Sequence, residues 1–199
     1  MLRLSLPLAL LLTAFATACS SPGGGQPSSS ASTDGRQGQA AAAPAAGEWF
    51  TDRAQESGID FVHFNGMTGK FYQPEIMGPG VALFDFDNDG DLDVYLVQGT
   101  QLGTGTPLIA PPAAGLGDRL YRNDLQVAAD GAHTVRFTDV TAQSGIRPRG
   151  YGMGVAAGDI DNDGYVDLYL TGFGRNQLFH NNGNGTFTDV SKASGTDDP

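Results

Sequence analysis

Two nine-residue stretches hold the residues best suited to chemistry: Asp85-Phe-Asp-Asn-Asp-Gly-Asp-Leu-Asp93 and Asp159-Ile-Asp-Asn-Asp-Gly-Tyr-Val-Asp167. They lie 74 residues apart and agree at six of nine positions. Carboxylates at alternate positions of a tightly wound loop fall on one side of the chain. Gly at position 6 permits the sharp turn that brings them together. Such a cage suits a hard cation that takes about 6–8 oxygen ligands, and calcium is that cation. Magnesium fits less well, because it prefers a small octahedral site and retained water. The expected ligands are Asp85, Asp87, Asp89, Asp91 and Asp93 in the first loop. In the second they are Asp159, Asp161, Asp163, Tyr165 and Asp167. Position 7 is Asp91 in one copy and Tyr165 in the other, which fits ligation through the backbone carbonyl.

An acidic, solvated turn is the plainer alternative, since Asp, Asn and Gly are common turn residues. Repulsion opposes it. Two carboxylates 4 Å apart repel by about 1 kcal/mol in water and about 4 at the effective dielectric of a protein surface. The loops are not EF-hands. Position 12 is Leu96 or Leu170 rather than Glu, and Val81–Phe84 and Val94–Val97 read as strands rather than helices. The loops therefore belong at the ends of β-hairpins.

The elements that must position them recur as well. Gly80-Val81-Ala82 matches Gly154-Val155-Ala156, and Tyr95-Leu96 matches Tyr169-Leu170. Leu120-Tyr121-Arg122-Asn123 matches Leu178-Phe179-His180-Asn181. Phe-Thr-Asp occurs at Phe50, Phe137 and Phe187, each time with Ser-Gly starting seven residues after the Phe. The second unit reads as four strands: Gly154–Gly158, Asp167–Leu170, Gln177–His180 and Thr186–Val190. Four short strands per unit of about fifty residues is the pattern of a β-propeller blade. The fold class is thus all-β, a partial propeller of about two blades, 78–140 and 150–190. Thr100–Gly117 and Leu125–His133 read as insertions in the first. Phe50-Thr51-Asp52 reads as a fourth strand lacking its first three. Closed propellers typically have 4–8 blades, so the chain reads as the N-terminal fragment of a longer protein that stops where a further blade would open.

The formal net charge of −11 excludes nucleic acid as an expected partner. The basic Met1-Leu2-Arg3 precedes the apolar run Leu4–Ala18, the length of a signal-peptide core and too short to span a bilayer comfortably. Residues 1–19 thus read as a signal peptide, and the protein as exported. The single cysteine, Cys19, follows Ala16-Thr17-Ala18. This resembles a lipoprotein cleavage box that lipidates Cys19, with Ala16 where Leu is usual, and gives a cell-envelope lipoprotein. An ordinary A-x-A cleavage and simple secretion is the alternative. Membrane contact is expected only through that anchor. Residues 20–47, rich in Ser, Gly, Pro, Ala and Gln, read as a disordered tether, and 48–199 as the folded repeats.

With these motifs in place, residues 49–195 resemble the FG-GAP/VCBS repeat proteins, and specifically the cartilage-acidic-protein-like family often associated with an ASPIC/UnbV domain. The resemblance implies an integrin-α-like propeller with calcium in the blade hairpins. No H-E-x-x-H, G-x-S-x-G or Walker motif occurs. Isolated His63 reads as an outward-facing strand residue, and His133 and His180 lie near turns. Arg119, Arg122 and Arg175 read as surface partners of nearby Asp. The expected function is a non-catalytic adhesion or ligand-binding module for an extracellular protein or glycan. The alternative is the non-catalytic front part of a calcium-dependent secreted polysaccharide-active enzyme.

Overall fold

The computed structural model describes residues 50–197. The expected signal peptide, Cys19 and the 20–47 tether lie outside them. The described residues build two four-stranded antiparallel meanders. The first runs through β1 (Val81–Phe84), β2 (Asp93–Leu96), β3 (Arg119–Asn123) and β6 (Phe137–Asp139), in that order across the sheet. The second runs through β7 (Tyr151–Gly158), β8 (Asp167–Phe173), β9 (Gln177–Asn181) and β10 (Phe187–Asp189). The architecture is all-β and propeller-like, with two blades. Of the two insertions, Thr100–Gly117 is without strand, whereas the other folds into a ribbon of β4 (Gln126–Val127) and β5 (His133–Thr134).

Both acidic loops are closed in the same way. Phe84 pairs with Asp93 in the β1–β2 hairpin, and Gly158 pairs with Asp167 in the β7–β8 hairpin. The last carboxylate of each loop is therefore fixed by a sheet, while the others ride on the loop. The core lies between the two sheets. Ala82, Phe84, Tyr95, Val97 and Leu120 of the first meet Leu168, Leu170, Phe179 and Phe187 of the second. Phe86, at position 2 of the first loop, joins this core with its ring 6.3 Å from that of Phe187. The blades approach closely at Gly80 and Gly154. A Cβ on Gly80 would sit 2.7 Å from the Gly154 Cα, so glycine here is a steric requirement.

Each Phe-Thr-Asp segment leads into one helical turn: α1 (Ala54–Ser57), α3 (Thr141–Ser144) and α4 (Ser191–Ser194). The Asp side chain starts the turn by accepting from the backbone N–H two residues on, at 2.9–3.0 Å in all three copies. Gly58, Gly145 and Gly195 end it with φ of 96°, 76° and 72°. Four residues are too few to show a 3.6-residue period, so these turns carry no periodic signal in sequence. α2 (Gln73–Ile76) is equally short.

Two expectations are corrected. Phe50-Thr51-Asp52 is irregular rather than a strand, and Phe50 is exposed. β6 and β10 pair with β3 and β9, whereas no strand among the described residues lies beside Phe50–Asp52. Phe61–Phe64 is also not a strand. The Gln98 side-chain amide holds it instead, accepting from Phe64 N–H at 2.7 Å and donating to the Val62 carbonyl at 3.0 Å. His63 is consequently half-buried, and burial lowers its pKa.

Candidate metal centres

Position 1 of each loop organises the turn. The Asp85 carboxylate accepts from the N–H groups of Asp89 and Gly90 at 3.1 and 2.9 Å. Asp159 accepts from Asn162, Asp163 and Gly164 at 2.7, 3.2 and 3.0 Å. These bonds, that from Gly164 above all, hold the Asp159 pKa below the usual carboxylate range. The wrap needs positive φ at position 4, where Asn88 and Asn162 stand at 58° and 62°, and at Gly90 and Gly164, at 93° and 90°. Position 5 repeats the turn on a smaller scale. Asp89 accepts from Asp91 N–H at 2.9 Å and Asp163 from Tyr165 N–H at 2.8 Å.

The closing residues Asp93 and Asp167 are buried, and each carboxylate is gripped from two sides. Asp93 accepts from Phe86 N–H at 2.9 Å and from Asn123 N–H at 2.8 Å. Asp167 accepts from Ile160 N–H at 2.9 Å and from Asn181 N–H at 2.7 Å. In each case one donor is position 2 of the loop and the other is the end of the third strand. Burial raises the Asp93 pKa to about 6 against these two hydrogen bonds.

Carboxylate oxygens of Asp85, Asp87 and Asp93 lie within 4.8 Å of one another, as do those of Asp159, Asp161 and Asp167. Asp163 joins a third such group with Asp161 and His180. Asp89 falls outside these groups, as do Asp91 and Tyr165, whose expected contribution is a backbone carbonyl. The Tyr165 ring packs against Gly183. The donors are hard oxygens, and one has nothing to bind: the Asp87 Oδ1 is buried without a hydrogen-bond partner. Burial, then Asp89 and Asp85, push the Asp87 pKa up. A cation there would satisfy that oxygen and reverse the repulsion, so the residues present fit a calcium ion.

The sequence reading missed His180. Its Nδ1 lies 3.2 Å from Asp167 and 3.5 Å from Asp161, so the imidazole faces the second cage. The first cage has Arg122 at the equivalent position, but that guanidinium pairs with Asp124 at 2.7 Å. The signal was available in the repeat alignment, which places Arg122 and His180 one residue before the asparagines that donate to Asp93 and Asp167. Arg119 pairs with Asp139 at 3.5 Å as expected, but its side chain is partly buried and also donates to the Gly117 and Asp118 carbonyls. Arg175 forms no ion pair among the described residues.

Fold and site together define a class, the antiparallel four-stranded repeat with an acidic loop in its first hairpin. Residues 159–199 match the FG-GAP-like repeat family. Over 123 residues the chain is 29% identical to cartilage acidic protein 1 of Mus musculus and 28% identical to that of Homo sapiens. Each match covers 61% of this chain and 17% of the relative, so the chain spans a small part of the curated relatives it matches. The family match points to a repeat module.

Proposed function

We propose that this is an exported, calcium-dependent β-repeat module that binds an extracellular protein or glycan and performs no catalysis. The observation that carries the calcium reading is the duplicated cage, with its converging carboxylates and the orphaned Asp87 Oδ1. Asp85, Asp87, Asp89 and Asp93 would hold one ion, and Asp159, Asp161, Asp163 and Asp167 the other, with the carbonyls of Asp91 and Tyr165 completing them. The ion supplies charge neutralisation and ordering of the hairpin ends. A recess of about 530 Å³ favours the binding-module reading. It is lined by Tyr72, Pro74, Met77, Leu102, Met153 and Phe173, beyond the end of β8 remote from the loop. Signal-peptide export and lipidation at Cys19 rest on the N-terminal sequence alone.

Calorimetry on the full chain tests the metal reading. Two calcium sites are expected in the weak range of about 10⁻⁴–10⁻³ M given for extracellular modules. Asp87→Ala and Asp161→Ala should each remove one. Equal or tighter magnesium binding refutes the cage. A fatty-acid label on the protein that disappears with Cys19→Ser tests the anchor, and unmodified protein in the medium means simple secretion.

A further inference from the structure

Asn181 stands at the end of β9 with its side chain fully buried. Three of its bonds stay within the second blade. Its N–H donates to Asp167 at 2.7 Å, its Nδ2 to the Val166 carbonyl at 3.2 Å, and its Oδ1 accepts from Gly183 N–H at 3.1 Å. The fourth crosses the blade interface. Nδ2 also donates to the Phe86 carbonyl at 2.8 Å, and this bond is buried. The same Phe86 residue donates its N–H to Asp93. A continuous buried path therefore joins the two closing carboxylates, from Asp93 through the Phe86 backbone and Asn181 to Asp167. A second, exposed bridge runs from Asn88 Nδ2 to the Gly164 carbonyl at 3.0 Å.

We propose that Asn181 is a positioning residue that couples the two loops, so that a cation held in either one raises the affinity of the other. This rests on the calcium reading above. An ion in the second loop fixes Asp167, and with it Asn181. Asn181 then holds the Phe86 peptide, which sets Asp93 and orders the first loop before any ion arrives. The second binding event orders less chain than the first, which is positive coupling. Linkage makes the effect equal in both directions. The charge balance permits it, because the loops carry five and four Asp and remain negative after each takes a divalent ion.

Asn123 supplies an internal control. It makes the same within-blade bonds, donating N–H to Asp93 at 2.8 Å and Nδ2 to the Leu92 carbonyl at 3.2 Å. Its Oδ1, however, is buried without a partner, and among the described residues it makes no bond across a blade interface.

The test is a mutant cycle read by calcium calorimetry on the full chain, with circular dichroism confirming the fold. In the wild-type background Asp161→Ala should weaken the first loop about five- to tenfold. In an Asn181→Ala background the same change should leave the first loop unaltered, while in an Asn123→Ala background the weakening should persist. Loss of coupling in both asparagine variants would make it a product of general loosening and overturn the proposal. If Asn181→Ala does not fold, amide NMR of Asp87→Ala decides. Calcium entering the second loop alone should shift the Phe86 amide and the Asn181 side-chain NH₂ signals, and unmoved signals overturn the coupling. Two loops that bind independently refute coupling alone, whereas a chain that binds calcium at neither loop refutes the metal reading.

Discussion

The two acidic loops have nearly the same backbone and different surroundings. In the first, position 2 is Phe86, buried among Phe84, Phe187 and the rest of the interblade core. In the second it is Ile160, which is 55% exposed. The first cage has beside it a guanidinium already engaged by Asp124, and the second an imidazole turned toward its carboxylates. The difference separates what builds such a loop from what supports it. Asx bonds, positive-φ Asn and Gly, and the gripped closing Asp are common to both, so they form the loop. Packing of position 2 is present in one only and sets how firmly that loop is tied to the fold.

The comparison would break first at that position. Phe86→Ala should destabilise by about 3–5 kcal/mol, as for other large-to-small core changes. Ile160→Ala should cost under about 1 kcal/mol in the same urea titration, because the side chain is already in water. Similar costs would mean that the two loops are supported alike.

Calcium itself is the next lever. Binding to the native state alone stabilises by about 2.7 kcal/mol per site at a hundredfold excess over Kd. Chelation should therefore lower the melting temperature by many degrees, and added calcium should restore it. An unchanged melt would make both loops plain acidic turns.

In chelator the pH profile should then distinguish the loops. The Asp93 carboxyl titrates near 6 in the folded protein, above its unfolded value of about 4. The native state holds that proton more tightly, so this group favours folding below about pH 4 and loses that contribution as pH rises through 6. Asp159, with its lowered pKa, acts in the opposite sense, stabilising above its unfolded pKa and ceasing to do so as pH falls through its lower folded value. Melting of wild-type and Asp87→Ala proteins from pH 4 to 7 without calcium checks the Asp93 contribution. Removing the neighbouring charge should reduce the fall, and an identical profile would count against a crowded first cage.

The smallest effect is expected at the rim of the second blade. The Arg149–Asp189 pair, 2.6 Å apart with both side chains partly exposed, should contribute about 0–1 kcal/mol. Arg149→Ala should thus shift the melt only slightly, while Asp189→Ala, which also removes the start of α4, should shift it more.

Much of this could be read in the chain. The loop boundaries, the hairpins on either side of them and the four-strand unit followed from spacing, because Asp, Asn and Gly at those positions encode the local backbone directly. For His180 the repeat alignment gave its place, one residue before Asn181, but not its role, because it meets the cage only through the pairing of β8 with β9. The Asn181–Phe86 bond spans 95 residues and leaves no local trace. Phe50-Thr51-Asp52 was misread for a related reason. The motif codes for the Asp-started turn that comes after it, and whether it is also a strand depends on a neighbour that the three residues do not specify.

The outermost strands, β6 and β10, contain only three residues each and run directly into a turn ended by a left-handed glycine. An exposed strand edge is a template for another chain, and its danger grows with length and flatness. Here each edge stops after three residues, beside an aspartate and a chain reversal, and the turn-ending glycine of the preceding segment, Gly58 or Gly145, already lies against its Phe carbonyl. A foreign strand would find too few partners at β6 or β10 to register there, so these two edges are poor templates for a second chain.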